Sequence, residues 1–365
     1  MRKEKILKWL IFLSGIICLF AFIAIRIRPL FNIAATDKLE PGYWDNTKYG
    51  ELYHFNYILD FREDIPPVEV KYQYSDDHPG LEEADIYTFG DSFFDFARHE
   101  QFPKRLGKIL NKKVYFAHNG YPLQYFAENG FKNNSPKILI FEQVERYVPD
   151  KFMKEHKVEI KTDSRSPIRK KAAVVKDLLF YSRSEQLYDA LIKRSYFTTC
   201  IYTIIATVKF RLFGYISNLT PVYTLKHDTP WLYYEDQVNE TMTSFYYKFS
   251  DAEIDTMCDN MEKLSAELKE QYNIDMVLLP LPAKYTVTHH LLNNDEYSNF
   301  LPRLYREMDK RGIRYISVFD DFMKSGENLY YGTDSHWNNN GINLALEKTV
   351  QFLKNDSVYL GIYNN

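Results

Sequence analysis

The stretch Asp85-Ile86-Tyr87-Thr88-Phe89-Gly90-Asp91-Ser92-Phe93 decides how this chain folds. Asp85 to Phe89 is a short run of apolar, aromatic and β-branched residues, which predicts a buried strand. Gly90 closes it in a tight turn that a side chain would obstruct. A helical pattern runs from Phe93 to Asn111, interrupted at Pro103. Lys113 to Ala117 and Lys137 to Phe141 repeat the strand pattern, with Leu123 to Asn129 as a short helix between them. Strands alternating with helices predict an α/β fold with a parallel sheet.

Farther along, residues 151–250 are less regular and read as an insertion. Regular alternation resumes at a capping box, Ser250 with Glu253. Ile254, Met257, Met261, Leu264 and Leu268 then form one apolar stripe at helical spacing, the mark of a core helix. Asp275 to Leu279 reads as a strand closing at Pro280, and the next helix stops at Gly312. Arg314 to Val318 reads as a further strand. The last helix begins near Gly341 and turns Ile342, Ala345, Leu346, Val350 and Leu353 inward.

Two segments carry candidate chemistry. Ser92 follows a strand at its carboxyl end, where open α/β sheets place their ligands. The helix start behind it supplies backbone N–H groups suited to an oxyanion. Thr333-Asp334-Ser335-His336-Trp337 lies directly before the last helix. A serine hydroxyl needs a base near neutral pH, and that base needs a carboxylate to fix its tautomer. Gly-Asp-Ser alone is a common capped turn, and Asp-Ser-His alone a common capping loop. Both at predicted element boundaries, in one chain, point to a Ser-His-Asp triad.

Composition narrows the classes. The 365 residues hold 46 Lys+Arg against 49 Asp+Glu, so the basic excess of a nucleic-acid binder is missing. Three cysteines without a Cys-x-x-Cys spacing predict no metal site. With 14 Gly and 15 Pro, collagen-like and disordered readings fail. Trp9 to Ile25 carry no charge, and as a helix they approach the ~30 Å hydrocarbon core. No small-x-small cleavage site follows promptly, so an uncleaved anchor is expected rather than a signal peptide. Arg2, Lys3, Lys5 and Lys8 before the span place the amino terminus in the cytoplasm and the rest outside. The expected organisation is a cytoplasmic tip and transmembrane anchor at 1–28, a linker or amino-terminal extension at 29–84, and a catalytic domain at 85–365 with the basic insertion at 151–250.

Within that insertion, Tyr196 to Val208 is apolar but too short to span. From Arg165 to Arg211 there are ten Lys/Arg and three Asp/Glu. A solvated basic helix and a surface docking on anionic headgroups or a membrane partner are both open. For Cys200 and Cys258, a disulfide and two free buried thiols are likewise both open.

Gly90-Asp91-Ser92 after a strand, with Asp334-x-His336-Trp337 near the carboxyl terminus, resembles the SGNH/GDSL hydrolase superfamily. The form Asp334-x-His336-Trp337-Asn338 followed by Gly341 resembles its AlgX/AlgJ-type branch, the SGNH-like proteins of polysaccharide O-acetylation. Pro280-Leu281-Pro282-x-Lys284 and Glu142-x-x-Glu145-Arg146 also resemble that branch. The resemblance implies a three-layer α/β/α fold with Ser92 as nucleophile, His336 as base and Asp334 as its orienter. It implies the Gly120 backbone as an oxyanion donor. The superfamily's usual Gly-x-Asn-Asp block is replaced here by Glu142-Gln143-Val144-Glu145-Arg146, leaving Asn119 or Arg146 as the substitute donor. Lys284 is expected to pair with Glu142 or Glu145 rather than with an anionic sugar.

Tyr87, Tyr121, Tyr125, Tyr330, Tyr331 and Trp337 lie near these blocks and offer faces suited to sugar rings, with Tyr121 and Trp337 expected at the substrate. The implied activity is a single-pass, inner-membrane O-acetyltransferase with its catalytic domain periplasmic or extracellular. It would act on a cell-surface glycan and take acyl groups from a membrane-bound O-acyltransferase, without cofactor or nucleic acid. An esterase (deacetylase) and a non-catalytic glycan-binding assembly protein are the rival readings.

Overall fold

Alternation along each strand sorts the apolar residues onto two faces. In β1 (Ile86–Gly90), Ile86 points to one core, and Tyr87 and Phe89 to the other. In β3 (Lys137–Val144), Ile138 and Ile140 face the first core, Leu139 and Phe141 the second. β2 is Val114–His118 and β6 is Ile274–Leu281. The four strands run parallel in the order β2-β1-β3-β6. A sheet buried on both faces needs helices on both, hence three layers. The computed structural model describes residues 9, 12–16, 49–63, 79–94, 101–156, 158, 196–226, 229–293 and 296–363.

On one face, Phe102 and Leu106 of helix Phe102–Leu110 join Ile342, Ala345, Leu346 and Leu353 of helix Asn339–Asn355. On the other lie Leu123 and Phe126 of helix Pro122–Glu128, the full stripe of helix Asp251–Tyr272, and Leu301, Leu304 and Met308 of helix Phe300–Arg311. Each fully buried Leu or Phe contributes roughly 1.5–3 kcal/mol. The chain thus leaves β1 for β2 across one face and returns to β3 across the other. That reversal opens a crevice at the carboxyl end of β1, directly before Ser92.

The capping box forms as expected: Ser250 Oγ accepts from the Glu253 amide, and Glu253 Oε2 from the Ser250 amide at 2.7 Å. Gly312 ends its helix in the left-handed region, φ 67°. Two expectations change. Pro103 stands at the second position of helix Phe102–Leu110, where a missing N–H costs nothing, while residues 95–100 of the expected helical run lie outside the described residues. The strand expected at Arg314 to Val318 shrinks to one parallel bridge, Leu278 with Tyr315, as the chain turns into helix Phe319–Ser325.

Within the stretch read as an insertion, β4 (Val222–Lys226) and β5 (Thr229–Tyr233) form an antiparallel hairpin. Leu232 of β5 packs with Tyr49, Leu52, Tyr53, Ile58 and Phe61 in a small separate core. Helix Tyr196–Phe213 precedes the hairpin. The chain divides into two units, Met1–Asp45 with Lys161–Ile205, and Asn46–Ile160 with Ala206–Asn365. Most of the Trp9 to Ile25 span lies outside the described residues; Trp9 and residues 12–16 are helical. Among the described residues no helix is long and apolar enough to cross a membrane. Cys200 and Cys258 are both free, and burial pushes the Cys258 thiol up to about 12.

Candidate active site

Ser92 meets Asp334 and His336, more than two hundred positions farther along the chain, in the second unit. Ser92 Oγ lies 2.7 Å from Nε2 of His336, and Nδ1 of His336 lies 2.6 Å from Oδ1 of Asp334. With Nδ1–H donating to the carboxylate, Nε2 is left to accept the serine proton. Burial pulls the His336 pKa down, but the Glu51 and Asp334 carboxylates outweigh it and hold the imidazole above its ordinary value.

Local geometry at the serine is simple. β1 ends at Gly90, and Asp91 folds the next residues back: its Oδ1 accepts from the Phe93 amide at 2.8 Å, its carbonyl from Phe94. Glu142 of β3, wholly buried, accepts the Asp91 amide at 2.9 Å. Gly90 is required because a Cβ there would collide with the Glu142 carboxyl. Ser92 is left half-buried at the head of the turn.

The base loop is held from many sides. The amide of Glu51, first residue of the one-turn helix Glu51–His54, donates to Oδ2 of Asp334 at 3.0 Å. The next amide, Leu52, donates to the Thr333 carbonyl at 3.1 Å. Gly50 permits this approach with φ 85°, and a Cβ there would overlap the same carbonyl. Glu63 Oε2 accepts from the amide and hydroxyl of Thr333 at 3.2 and 3.1 Å. Glu51 Oε1 accepts from Ser335 Oγ.

Beneath the loop lies Lys284, fully buried. Its Nζ donates to the carbonyls of Leu232, Gly332 and Asp334 at 2.7, 2.5 and 3.0 Å and faces the rings of Trp231 and Tyr233. Contrary to the expectation from the sequence, Lys284 therefore pairs with neither Glu142 nor Glu145. Backbone carbonyls take its charge, and Glu145 is occupied by the Ala283 amide, Thr286 and Tyr297. Burial lowers the Lys284 pKa to about 7 against the pull of Asp334, Glu63 and Glu51.

The remaining expected site residues divide. Asn119 follows β2 with φ 51°, and its amide donates to the Gly90 carbonyl at 2.7 Å, so the Asn119–Gly120 turn is tied to the strand that carries Ser92. The Asn119 side chain is engaged with His118, not aimed at a vacant acceptor. Arg146 is buried over the Tyr147 ring, 3.4 Å from Asp236, and its charge opposes protonation of His336. Its Nε and Nη1 have no hydrogen-bond partner among the described residues.

Tyr121 is half-buried and stacks on His156 at 4.2 Å. Trp337 is corrected: it is fully enclosed, with Nε1–H donating to the Phe93 carbonyl at 2.9 Å, so it offers no face to a sugar. Tyr87 and Tyr330 are core residues for the same reason. Of the proposed aromatic platform, Tyr121, Tyr125 and Tyr331 keep partial exposure.

Ligand atoms of Glu51, Asp334 and His336 come within 4.8 Å of one another, close enough for a cation. Both His336 nitrogens are committed to Asp334 and Ser92, so an ion there would have to break those bonds.

Fold and site together define the class: an SGNH-like α/β fold with a parallel sheet and serine, histidine and aspartate converging at its carboxyl edge. More narrowly, residues 228–362 match the family model of the SGNH hydrolase-like domain of the acetyltransferase AlgX. That match takes in Lys284, Asp334 and His336 and stops short of the strand bearing Ser92. No curated protein and no solved structure matches the chain.

Proposed function

We propose that this protein is an O-acetyltransferase acting on a cell-surface polysaccharide through an acyl-serine intermediate. The observation that carries the reading is His336 standing between Ser92 Oγ and the Asp334 carboxylate. Ser92 Oγ attacks the carbonyl carbon of an acetyl ester while its proton passes to Nε2 of His336. The tetrahedral oxyanion is met by the Ser92 and Gly120 amides, for which no other acceptor occurs among the described residues. Arg146 adds positive charge beside the site. The donor alkoxide leaves with the proton from Nε2, and acetyl-Ser92 remains. A sugar hydroxyl then gives its proton to Nε2, attacks the acyl carbon, and carries the acetyl group away as Ser92 recovers its proton.

The matched AlgX domain is that of an acetyltransferase, which supports sugar as acceptor over water. The uncharged Trp9 to Ile25 stretch supports an anchored chain with its catalytic part outside the cytoplasm, within reach of a membrane-bound O-acyltransferase donor. The test is full-chain protein with a chromogenic acetyl ester, with and without oligosaccharide acceptors, against Ser92→Ala. Turnover should fall about a thousandfold or more in the variant. Serine-independent turnover would sink the reading, and free acetate without acetylated sugar would leave an esterase.

A further inference from the structure

Behind the serine turn two buried carboxyl groups face each other. Glu142 is wholly enclosed and Asp91 nearly so. Two of their four oxygens are satisfied: Oε2 of Glu142 holds the Asp91 amide, and Oδ1 of Asp91 holds the Phe93 amide. Oε1 of Glu142 and Oδ2 of Asp91 have no hydrogen-bond partner as two carboxylates. Two ionised carboxyls in contact inside a protein repel strongly, and each orphaned oxygen keeps its full desolvation cost. One proton resolves both defects at once.

We propose that Glu142 is a positioning residue that stays a neutral carboxylic acid, its Oε1–H donating to Oδ2 of Asp91 while its Oε2 holds the Asp91 amide. Glu142 thereby clamps Asp91 at side chain and backbone together, and this fixes the turn that presents Ser92 to His336. Burial first, and then the Asp91 charge, push the Glu142 pKa well above the ordinary carboxyl value. The charged groups around it are Asp91, Arg146 and Lys151; Arg146 opposes that rise without reversing it. The positioning role rests on Ser92 being the nucleophile; the protonation state does not.

The experiment compares full-chain wild type with Glu142→Gln and Glu142→Ala, reading Ser92-dependent ester turnover and thermal stability across pH. Glutamine reproduces the neutral acid, with its NH2 toward Asp91 and its carbonyl toward the amide. It should keep turnover within about threefold, whereas alanine loses about tenfold or more in kcat with little change in KM. The sign of the stability effect follows from the raised pKa. The folded state keeps a proton that the unfolded chain releases, so Glu142 stabilises fully below the ordinary carboxyl value and less as pH rises toward its folded value. Glutamine has nothing to lose, so its melting temperature should gain on wild type by several degrees as pH rises from 5 to 8.

Since alanine can also simply disrupt folding, the glutamine comparison decides. A gap in melting temperature that stays flat with pH, or glutamine as damaging as alanine, overturns the proposal. If Ser92→Ala leaves turnover intact, the nucleophile assignment fails, while the melting comparison still tests the shared proton.

Discussion

The two halves of the proposed triad are built differently. Ser92 stands on a turn whose determinants lie within a few residues, Gly90 and Asp91, with one distant side chain, Glu142, behind it. The Asp334–His336 loop has internal bonds, with the His336 amide on Asp334 Oδ1 and the Tyr331 amide on the His336 carbonyl, but most of its anchors lie far away in sequence. It is held by the turn at 50–52, by Glu63, by Lys284 and by the β5 hairpin, which come from four separate parts of the sequence. A nucleophile can be displayed by local backbone geometry, because it needs only an exposed oxygen at a strand end. A base needs its ring oriented to a fraction of an ångström between two partners, and here that precision is assembled from afar.

If the comparison is right, mutations far from the loop in sequence should damage it more than mutations beside it. Lys284→Met should have the largest effect, since it orphans three buried carbonyls. A loss of about 3 kcal/mol is expected in chemical denaturation, with turnover falling as well. Unchanged stability would mean that the loop holds itself. Gly50→Ala comes next: a left-handed φ and overlap with the Thr333 carbonyl should cost about 2 kcal/mol and lower kcat more than KM.

Glu51→Gln is the smallest and most specific. On the proposed chemistry His336 works as a base only when neutral, so turnover should climb with pH through its raised pKa. Removing the Glu51 charge lowers that pKa, and the acid limb should move to lower pH. A limb that moves the other way would show that Glu51 does not act on His336 through its charge.

This contrast also explains what could be read from the amino acids alone. The β1 strand, its glycine turn, the capping box and the apolar stripe of helix Asp251–Tyr272 depend on neighbours and on period, and they were legible. So was the pairing of a serine turn with an Asp-x-His loop, because two segments that are each common turns alone fall at element boundaries in one chain. The supports were not. Nothing near Glu51 or Gly50 signals a partner at Thr333 or Asp334. Lys284 looked like half of an ion pair, as a lysine near two glutamates usually is, until three carbonyls were seen to enclose it. Trp337 misled in the opposite direction: adjacency to His336 suggested a binding surface, yet its neighbours Phe93 and Phe102 make it core.

The hydrogen bond from Glu51 to Asp334 joins positions 283 apart. Chains are made from the amino end, so the sheet strands β1 to β3 and the turn bearing Ser92 exist well before residues 333–336 leave the ribosome. Throughout that interval the clamp at 50–52 has nothing to grip and the serine has no base. On the proposed chemistry, a nascent or prematurely ended chain carries the hydroxyl but cannot be acylated at a useful rate. On that chemistry Ser92 gains its base only after residues 333–336 have been made and have closed on the turn at 50–52.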